Sequence, residues 1–452
     1  MLTSGDAASD READEAVFVW IWLPGRESPV VAGRIERAGK RYLFGYGRSY
    51  LARADALPLG LPELPLEPGL QAPLDGLTLA GVLRDALPDA WGRRVVLARL
   101  AGAERDPGVG NAVVEADVDP DERVFMLESG SNRIGALDFQ RSAERHVPRD
   151  GPDATLDELH DAARHIELGL TLPPALDAAI VHGSSIGGAR PKALLVDTGR
   201  QLVAKFSSSD DTRPVVETEY VAMRLAAEAG LDVAPVSVTR VAGRSVLLVE
   251  RFDRTPSRNG WTRHAMVSAL TLFGLDEMMA RYASYETLAE IVRRRFEAPK
   301  RTLRELFGRM VFNVLVGNTD DHARNHAAFW NGRLSLAPAY DICPQQRTGG
   351  EATQAMRILG TRSFSRIDLC LEAAPAFLMG RDEAVDVVRA QIDTLRARWD
   401  DVCDECALPL PARRALWGRQ ILNPYAFVGL DDDLLERFGA NGAAGPSGRP
   451  TG

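Results

Sequence analysis

Apolar, β-rich runs separated by turn residues open the chain: Val17-Phe-Val-Trp-Ile-Trp22, Val30-Val31-Ala-Gly-Arg-Ile35 and Arg41-Tyr-Leu-Phe-Gly-Tyr46. Pro24-Gly25 and Ala38-Gly39 break them, which predicts a small antiparallel meander. Leu57 to Pro73 is rich in Pro, Leu and Gly and is expected to be irregular. Leu83 to Leu100 then has helical spacing, entered around Pro88-Asp89, with Trp91, Val95 and Leu97-Ala98 as its buried side. Residues 101–122 read as a polar connector, and Arg123–Met126 and Ile134–Phe139 as strands. Thr155-x-x-Glu158 is a capping box; it opens a helix with Leu156, Leu159 and Ala163 on one side and Gly169 at its end.

The second half starts with two strands, Ala193–Val196 and Leu202–Phe206, joined by a turn at Thr198-Gly199. A helix is predicted from Pro214 to about Ala229, capped by Gly230, then a hairpin of Val236–Val241 and Ser245–Val249 around Ala242-Gly243. Beyond Asn259-Gly260 the pattern turns helical. Tyr285–Phe296 and Arg301–Val316 are the clearest helices, the second with Leu303, Leu306, Phe307, Met310 and Val314 on one side. A short strand-turn-strand with Asn331-Gly332 at its tip follows, then helices over Arg381–Trp399 and Pro411–Leu422. Residues 1–14 and 439–452 lack periodicity and are expected to be disordered tails.

Composition narrows the class. The 452 residues, 45% hydrophobic and 26% charged, fit a globular protein of two or three units. No apolar run is long enough to span a bilayer, and residues 1–14 are acidic and polar, unlike a signal peptide; a cytoplasmic protein without membrane contact is expected. A net charge of −9 argues against a surface devoted to nucleic acid. Cys403 and Cys406 have no second pair or histidine near them, so reduced, partly buried thiols are expected instead of a zinc site.

The chemistry concentrates after the helix that ends at Val316. Gly317-Asn-Thr-Asp-Asp-His-Ala-Arg-Asn325 is followed by the short hairpin and by Tyr340-Asp341. An Asp, an Asn five residues later, a hairpin and a second Asp is the order of parts by which a kinase orients the attacking hydroxyl and holds the metal on ATP. Earlier, Gly187 and Gly188 lie in a Gly/Ser loop that leads through Ala189, Arg190, Pro191 and Lys192 into a strand, and Lys205 sits on the next one. Glycine lets backbone amides approach a phosphate closely, and a strand lysine can pair with it. Either Glu217 or Glu219 on the following helix could reach Lys205. The strand that runs into Glu250-Arg251-Phe252 has the position of the connector that holds an adenine edge.

In this order, Phe44-Gly-Tyr-Gly-Arg-Ser-Tyr50, Leu83–Asp89, Ser185–Lys192, Val249–Asp253, Gly317–Asn325 and Tyr340-Asp341 resemble the HipA family of bacterial serine/threonine kinases, toxins of type II toxin–antitoxin systems. The resemblance implies an α+β, two-lobed protein-kinase-like fold, with a β-rich N-terminal lobe carrying an extra N-terminal subdomain and an all-helical C-terminal lobe. It places the subdomain at residues 15–105, the N-lobe with its phosphate loop at 106–252 and the C-lobe at 253–438. It implies ATP and Mg2+ as cofactors, Asp320 as catalytic base, and Asn325 and Asp341 as metal ligands. Gly187 to Lys192, Lys205, Glu250 to Phe252, His322, Asn325, Tyr340 and Asp341 would contact the nucleotide or support its site, and Ser185 would be autophosphorylated. The implied partners are a helix-turn-helix antitoxin of the HipB kind, through which alone DNA would be met, and a protein substrate such as an aminoacyl-tRNA synthetase. Arg324 stands where many relatives have Lys, and Pro191 removes an amide from the phosphate loop. A lipid or small-molecule phosphotransferase and a catalytically silent co-repressor subunit are the competing expectations.

Overall fold

The computed structural model describes residues 16–103, 121–151, 154–170, 172–181, 184–185, 188–197, 199–208, 211–347 and 349–440. Both predicted tails lie wholly or almost wholly outside these residues, as do Gly187 and Thr198.

The meander forms as its apolar runs predict. Strands β1 (Val17–Ile21), β2 (Val30–Ala38), β3 (Arg41–Tyr46) and β4 (Leu70–Gln71) join β5 (Leu137–Gln140) in an antiparallel sheet of order β4-β3-β2-β1-β5. Alternate side chains Val17, Val19 and Ile21 meet Ile35, Phe44 and Phe139 in one core. Two expectations are corrected. Arg123–Met126 is part of a helix, Glu122–Glu128, whose N-cap Asp121 accepts the Arg123 N–H; the cap decides the conformation of a run that is apolar enough for either. That helix and β5 pack with the N-terminal core through Met126, Leu137 and Phe139. The helix expected over Leu83–Leu100 is two, Gly81–Arg84 and Ala90–Ala103, interrupted at Pro88. Trp91 and Val95 are buried as expected, with Val96; Leu97 faces outward.

The second sheet holds β6 (Lys192–Asp197), β7 (Arg200–Phe206), β8 (Val236–Val241) and β9 (Arg244–Glu250) in the order β6-β7-β9-β8. The helix Val215–Glu228 packs on it, and the capping-box helix Leu156–Glu167 forms with Thr155 and Glu158 bonded as predicted. A third unit is mainly helical and carries two small antiparallel elements. These are the hairpin β10 (Arg254–Ser257) with β11 (Gly260–Arg263), and the sheet β12 (Ala265–Ser268), β13 (Ala327–Trp330) and β14 (Leu334–Leu336). Its axis is the helix Pro299–Val316, buried on nearly every face from Leu306 onward, and Tyr285–Arg295 and Arg381–Glu405 belong to the same core. Among the described residues no helix is long and apolar enough to cross a membrane. The four cysteines are unpaired.

A buried polar seam ties the units together. Arg133 and Asp138, both fully buried, pair at 3.0 Å. Arg251 and Arg254 share Asp253 at 2.7 and 2.9 Å. Both also donate to the Arg133 carbonyl and the Asn132 side chain, while Asp253 accepts the Gly135 N–H at 2.8 Å. Each charge is paired and hydrogen-bonded, the condition for burying it at tolerable cost.

Candidate active site

A cleft of about 600 Å3 opens where the three units meet. One side is the edge of the second sheet. In the β6–β7 register Lys192 lies directly opposite Lys205, an arrangement of like charges that is unfavourable unless counter-charges arrive. They do. Lys205 Nζ lies 2.5 Å from Glu219 Oε1 and 2.5 Å from Asp341 Oδ1. Burial alone would lower its pKa, but the Asp341 and Glu219 carboxylates override that and hold it above the ordinary lysine range. Glu219 is the helix glutamate that reaches the lysine; Glu217 binds the Ser245 hydroxyl instead, at 2.6 Å. Lys192 is pulled down to about 8 by burial and by the Lys205 charge.

The opposite side is the loop delivered by the helix Pro299–Val316. Gly317 ends that helix at φ +69°, and a Cβ there would lie 2.7 Å from the Gln420 carbonyl, so only glycine fits. The adjacent aspartates that follow differ completely. Asp321 is buried, accepts from the Tyr285 hydroxyl and sits 2.9 Å from His326 Nε2. Asp320 faces the cleft, and among the described residues nothing donates to its carboxylate. Desolvation raises its pKa; nearby His322 opposes the shift and Asp341 adds to it. Asn325 anchors the loop by donating to the Asp320 carbonyl at 3.3 Å, which leaves its side-chain oxygen available to a metal.

Asp341 is the third vertex. Its φ of +60° is left-handed, a conformation that costs a non-glycine residue about 1–3 kcal/mol and recurs at functional sites. The Lys205 charge, with Lys192 behind it, keeps its carboxyl far below the usual carboxylate range, so it is an anion at any working pH. Tyr340 before it donates to the Arg324 carbonyl at 2.6 Å and packs against Phe252, ring centroids 5.7 Å apart. Among the described residues no three of His, Cys, Asp and Glu gather into a full metal cage. Two hard oxygen ligands, Asp341 and Asn325, nonetheless fit Mg2+, which needs only one or two protein ligands when phosphate oxygens supply others.

Most expected nucleotide contacts line this cleft: Gly188, Ala189, Arg190, Lys192, Lys205, Glu250, Arg251, Phe252, His322, Asn325, Tyr340 and Asp341, with Asp320 among them. Gly187 lies outside the described residues. Four of the expected residues have groups engaged elsewhere. Pro191 is buried beside the cleft, its carbonyl accepting the Phe206 N–H at 3.0 Å. The Arg251 guanidinium is consumed in the buried seam, and that of Arg190 forms a bidentate pair with Asp211. Ser185 is 2% exposed, and its hydroxyl donates to the Asn132 carbonyl at 3.2 Å. Sequence reasoning missed other lining residues, among them Asp85, Asp89 and Ile134–Leu137. The Leu83–Asp89 motif carried the only signal for them.

Residues 21–109 match the HipA N-terminal domain, and 184–403 match the HipA-like C-terminal domain, in the expected order. The chain belongs to the HipA family. Y4mE of Sinorhizobium fredii, provisionally described as a kinase, is 31% identical over 175 residues, 35% of this chain and 41% of its own length. The serine/threonine-protein kinase toxin HipA of Shewanella oneidensis is 24% identical over 183 residues, 35% of this chain and 42% of its own. The chain thus spans less than half the length of these curated relatives. In fold the agreement is wider. The structure of Shewanella oneidensis MR-1 HipA in a complex with HipB and operator DNA superposes with a TM-score of 0.65 at 17% identity, covering 90% of this chain and 97% of that one. The HipA-type, α+β kinase-like architecture is therefore that of this chain.

Proposed function

We propose that the cleft transfers the terminal phosphoryl group of ATP to a serine or threonine hydroxyl of a protein, the activity of a HipA-type toxin kinase. One observation carries the reading: Lys205 bridges Glu219 and Asp341 at 2.5 Å each, and Asp320 and Asn325 face them across the same cleft. In this reading Val203, Val249 and Phe252 would hold the base of ATP, and Lys205 and Lys192, which line the same cleft, would hold its phosphates. Asp341 and Asn325 hold Mg2+, which neutralises phosphate charge when bound. Asp320 hydrogen-bonds the incoming hydroxyl and takes its proton as the oxygen attacks the terminal phosphorus and the bond to the departing ADP oxygen breaks; its raised pKa suits a group that must accept a proton. Lys205 stabilises charge on the phosphoryl oxygens and, by holding Asp341 anionic, keeps the metal ligand ready.

Ser185 is the proposed self-modification site. Since its hydroxyl is buried against Asn132, the segment has to leave its seat to be phosphorylated. A phosphate there would add roughly two negative charges beside the site for ATP, which makes the modification inhibitory. The proposed partners are a DNA-binding helix-turn-helix antitoxin, supported by the HipB-bound fold relative, and a translation-related protein substrate in the cytoplasm. Calorimetry with ATP, with and without Mg2+, tests the site. Binding that needs Mg2+ and is lost in Asp341→Asn supports the reading; metal-independent binding, unaffected by that change, contradicts it. Peptide mass spectrometry of the ATP-treated protein tests Ser185.

A further inference from the structure

The segment Gly188–Lys192 is gripped by a different subdomain. The Gly188 N–H donates to Asp89 Oδ2 at 2.7 Å, and its carbonyl accepts the Trp91 N–H at 3.1 Å. The fully buried Trp91 also donates its indole Nε1–H to the Lys192 carbonyl at 2.9 Å. Gly92 sits so close that a Cβ would lie 2.7 Å from the Ser184 carbonyl oxygen. The same turn reaches the other side of the cleft. Asp89 Oδ1 is 3.5 Å from Arg324 Nη1, and Arg324 immediately precedes Asn325 and pairs with Glu277, itself 3.7 Å from Arg84. Asp85 accepts from both the N–H and the hydroxyl of Ser268 at 2.8 Å, and the next residue, Ala269, donates to the His326 carbonyl at 2.7 Å. One short stretch, 85–92, therefore touches both loops of the site.

We propose that Asp89 is a positioning residue: with Trp91 it sets the Gly188–Lys192 segment in its nucleotide-receiving shape, and through Arg324 it couples that segment to the catalytic loop. Its two carboxylate oxygens divide the work, one holding a backbone amide and the other facing a guanidinium. An amide bound to a carboxylate is held more strongly than one bound to a neutral acceptor. Taking the Gly188 N–H fixes the turn that presents Ala189 and Arg190 to the cleft. The N-terminal subdomain thereby becomes part of the nucleotide site, and anything that draws it away loosens that site.

The nucleotide part rests on the kinase reading above; the clamp does not. Two variants and two readouts separate them. In Asp89→Ala, amide hydrogen exchange in peptides covering Gly188–Lys192 accelerates, while exchange in the helix Pro299–Val316 and the melting temperature stay put. ATP affinity falls about tenfold, the scale of one lost charge-assisted hydrogen bond. Asp89→Asn keeps an acceptor for Gly188 but loses the charge facing Arg324. It therefore raises the ATP KM much less than Asp89→Ala does, while kcat falls by a few-fold, roughly the effect of one partly exposed ion pair. A purely structural role would move neither ratio. Unchanged exchange in Asp89→Ala overturns the proposal, and so does tighter ATP binding, which would mean that the carboxylate competes with phosphate. If the wild type bound no ATP, the kinase reading would fail by itself, and the exchange result would still decide the clamp.

Discussion

Two loops face each other across the cleft, and they are held in different ways. The loop Gly317–Asn325 is rooted in its own lobe. Asn318 binds Asn313 through both backbone and side chain, at 2.9 and 3.0 Å. Behind it Tyr285, Asp321 and His326 form a buried polar cluster. The Gly188–Lys192 segment also makes three hydrogen bonds with Asp89 and Trp91, far from it along the chain: it donates one to Asp89 and accepts two from Trp91. A carboxylate that must meet a hydroxyl within tenths of an ångström needs the first kind of support. The second segment is held from two sides, by residues 89–91 and, within its own unit, by Phe206 and Asp211.

The largest test of this contrast separates the adjacent aspartates. Asp320→Asn should lower phosphate transfer by about 10²–10⁴-fold, the usual worth of a general base, with unchanged thermal melting. Asp321→Ala should do the reverse, costing about 3–5 kcal/mol of stability by leaving the Tyr285 hydroxyl and His326 Nε2 buried without their partner; denaturant unfolding measures it. Smaller effects are expected in the other loop. Gly188 sits at φ +101°, and a Cβ there would lie 2.1 Å from Lys192 Nζ. Gly188→Ala should therefore strain that segment by about 1–3 kcal/mol, seen as weaker ATP binding with little change in melting temperature.

Acidity sharpens the same side. Lys192, held at about 8, is charged below that pH and loses its proton as pH rises through it. A bound phosphate favours the charged form, so ATP affinity is full below this value and falls above it, by up to about tenfold from pH 7 to 9. Calorimetry should show that fall in the wild type and a flatter profile in Lys192→Met. The smallest effect is expected far from both loops. Arg398, paired with Asp401 on the exposed face of the helix Arg381–Glu405, should tolerate Arg398→Ala within about 0.5 kcal/mol in chemical denaturation.

Local chemistry was legible in the sequence where it depends on neighbours along the chain. The Thr155 capping box, the Gly230 and Gly317 helix ends, the Asn331-Gly332 hairpin and the succession of Asp320, Asn325 and Asp341 are all short-range patterns. Placement that depends on distant partners was not legible. Nothing near Leu137 says that it pairs with Ile21, more than a hundred residues away. Glu217 and Glu219 looked equivalent until the helix rotation turned one to Lys205 and the other to Ser245. Arg251 read as a connector residue because its counter-charge, Asp253, and the Asn132–Gly135 loop meet it only in the folded chain. The helix at Glu122–Glu128 was misread although Asp121 supplied a capping signal.

The central claim is that this cleft moves phosphate from ATP to protein. Transfer of γ-labelled phosphate to protein by the purified chain, compared with Asp320→Asn and Lys205→Ala at matched folding, tests it most directly. The account predicts Mg2+-dependent labelling that both variants abolish. Labelling that survives Asp320→Asn undiminished, or no transfer to protein by a folded wild type alongside rapid phosphorylation of a small molecule, would contradict it.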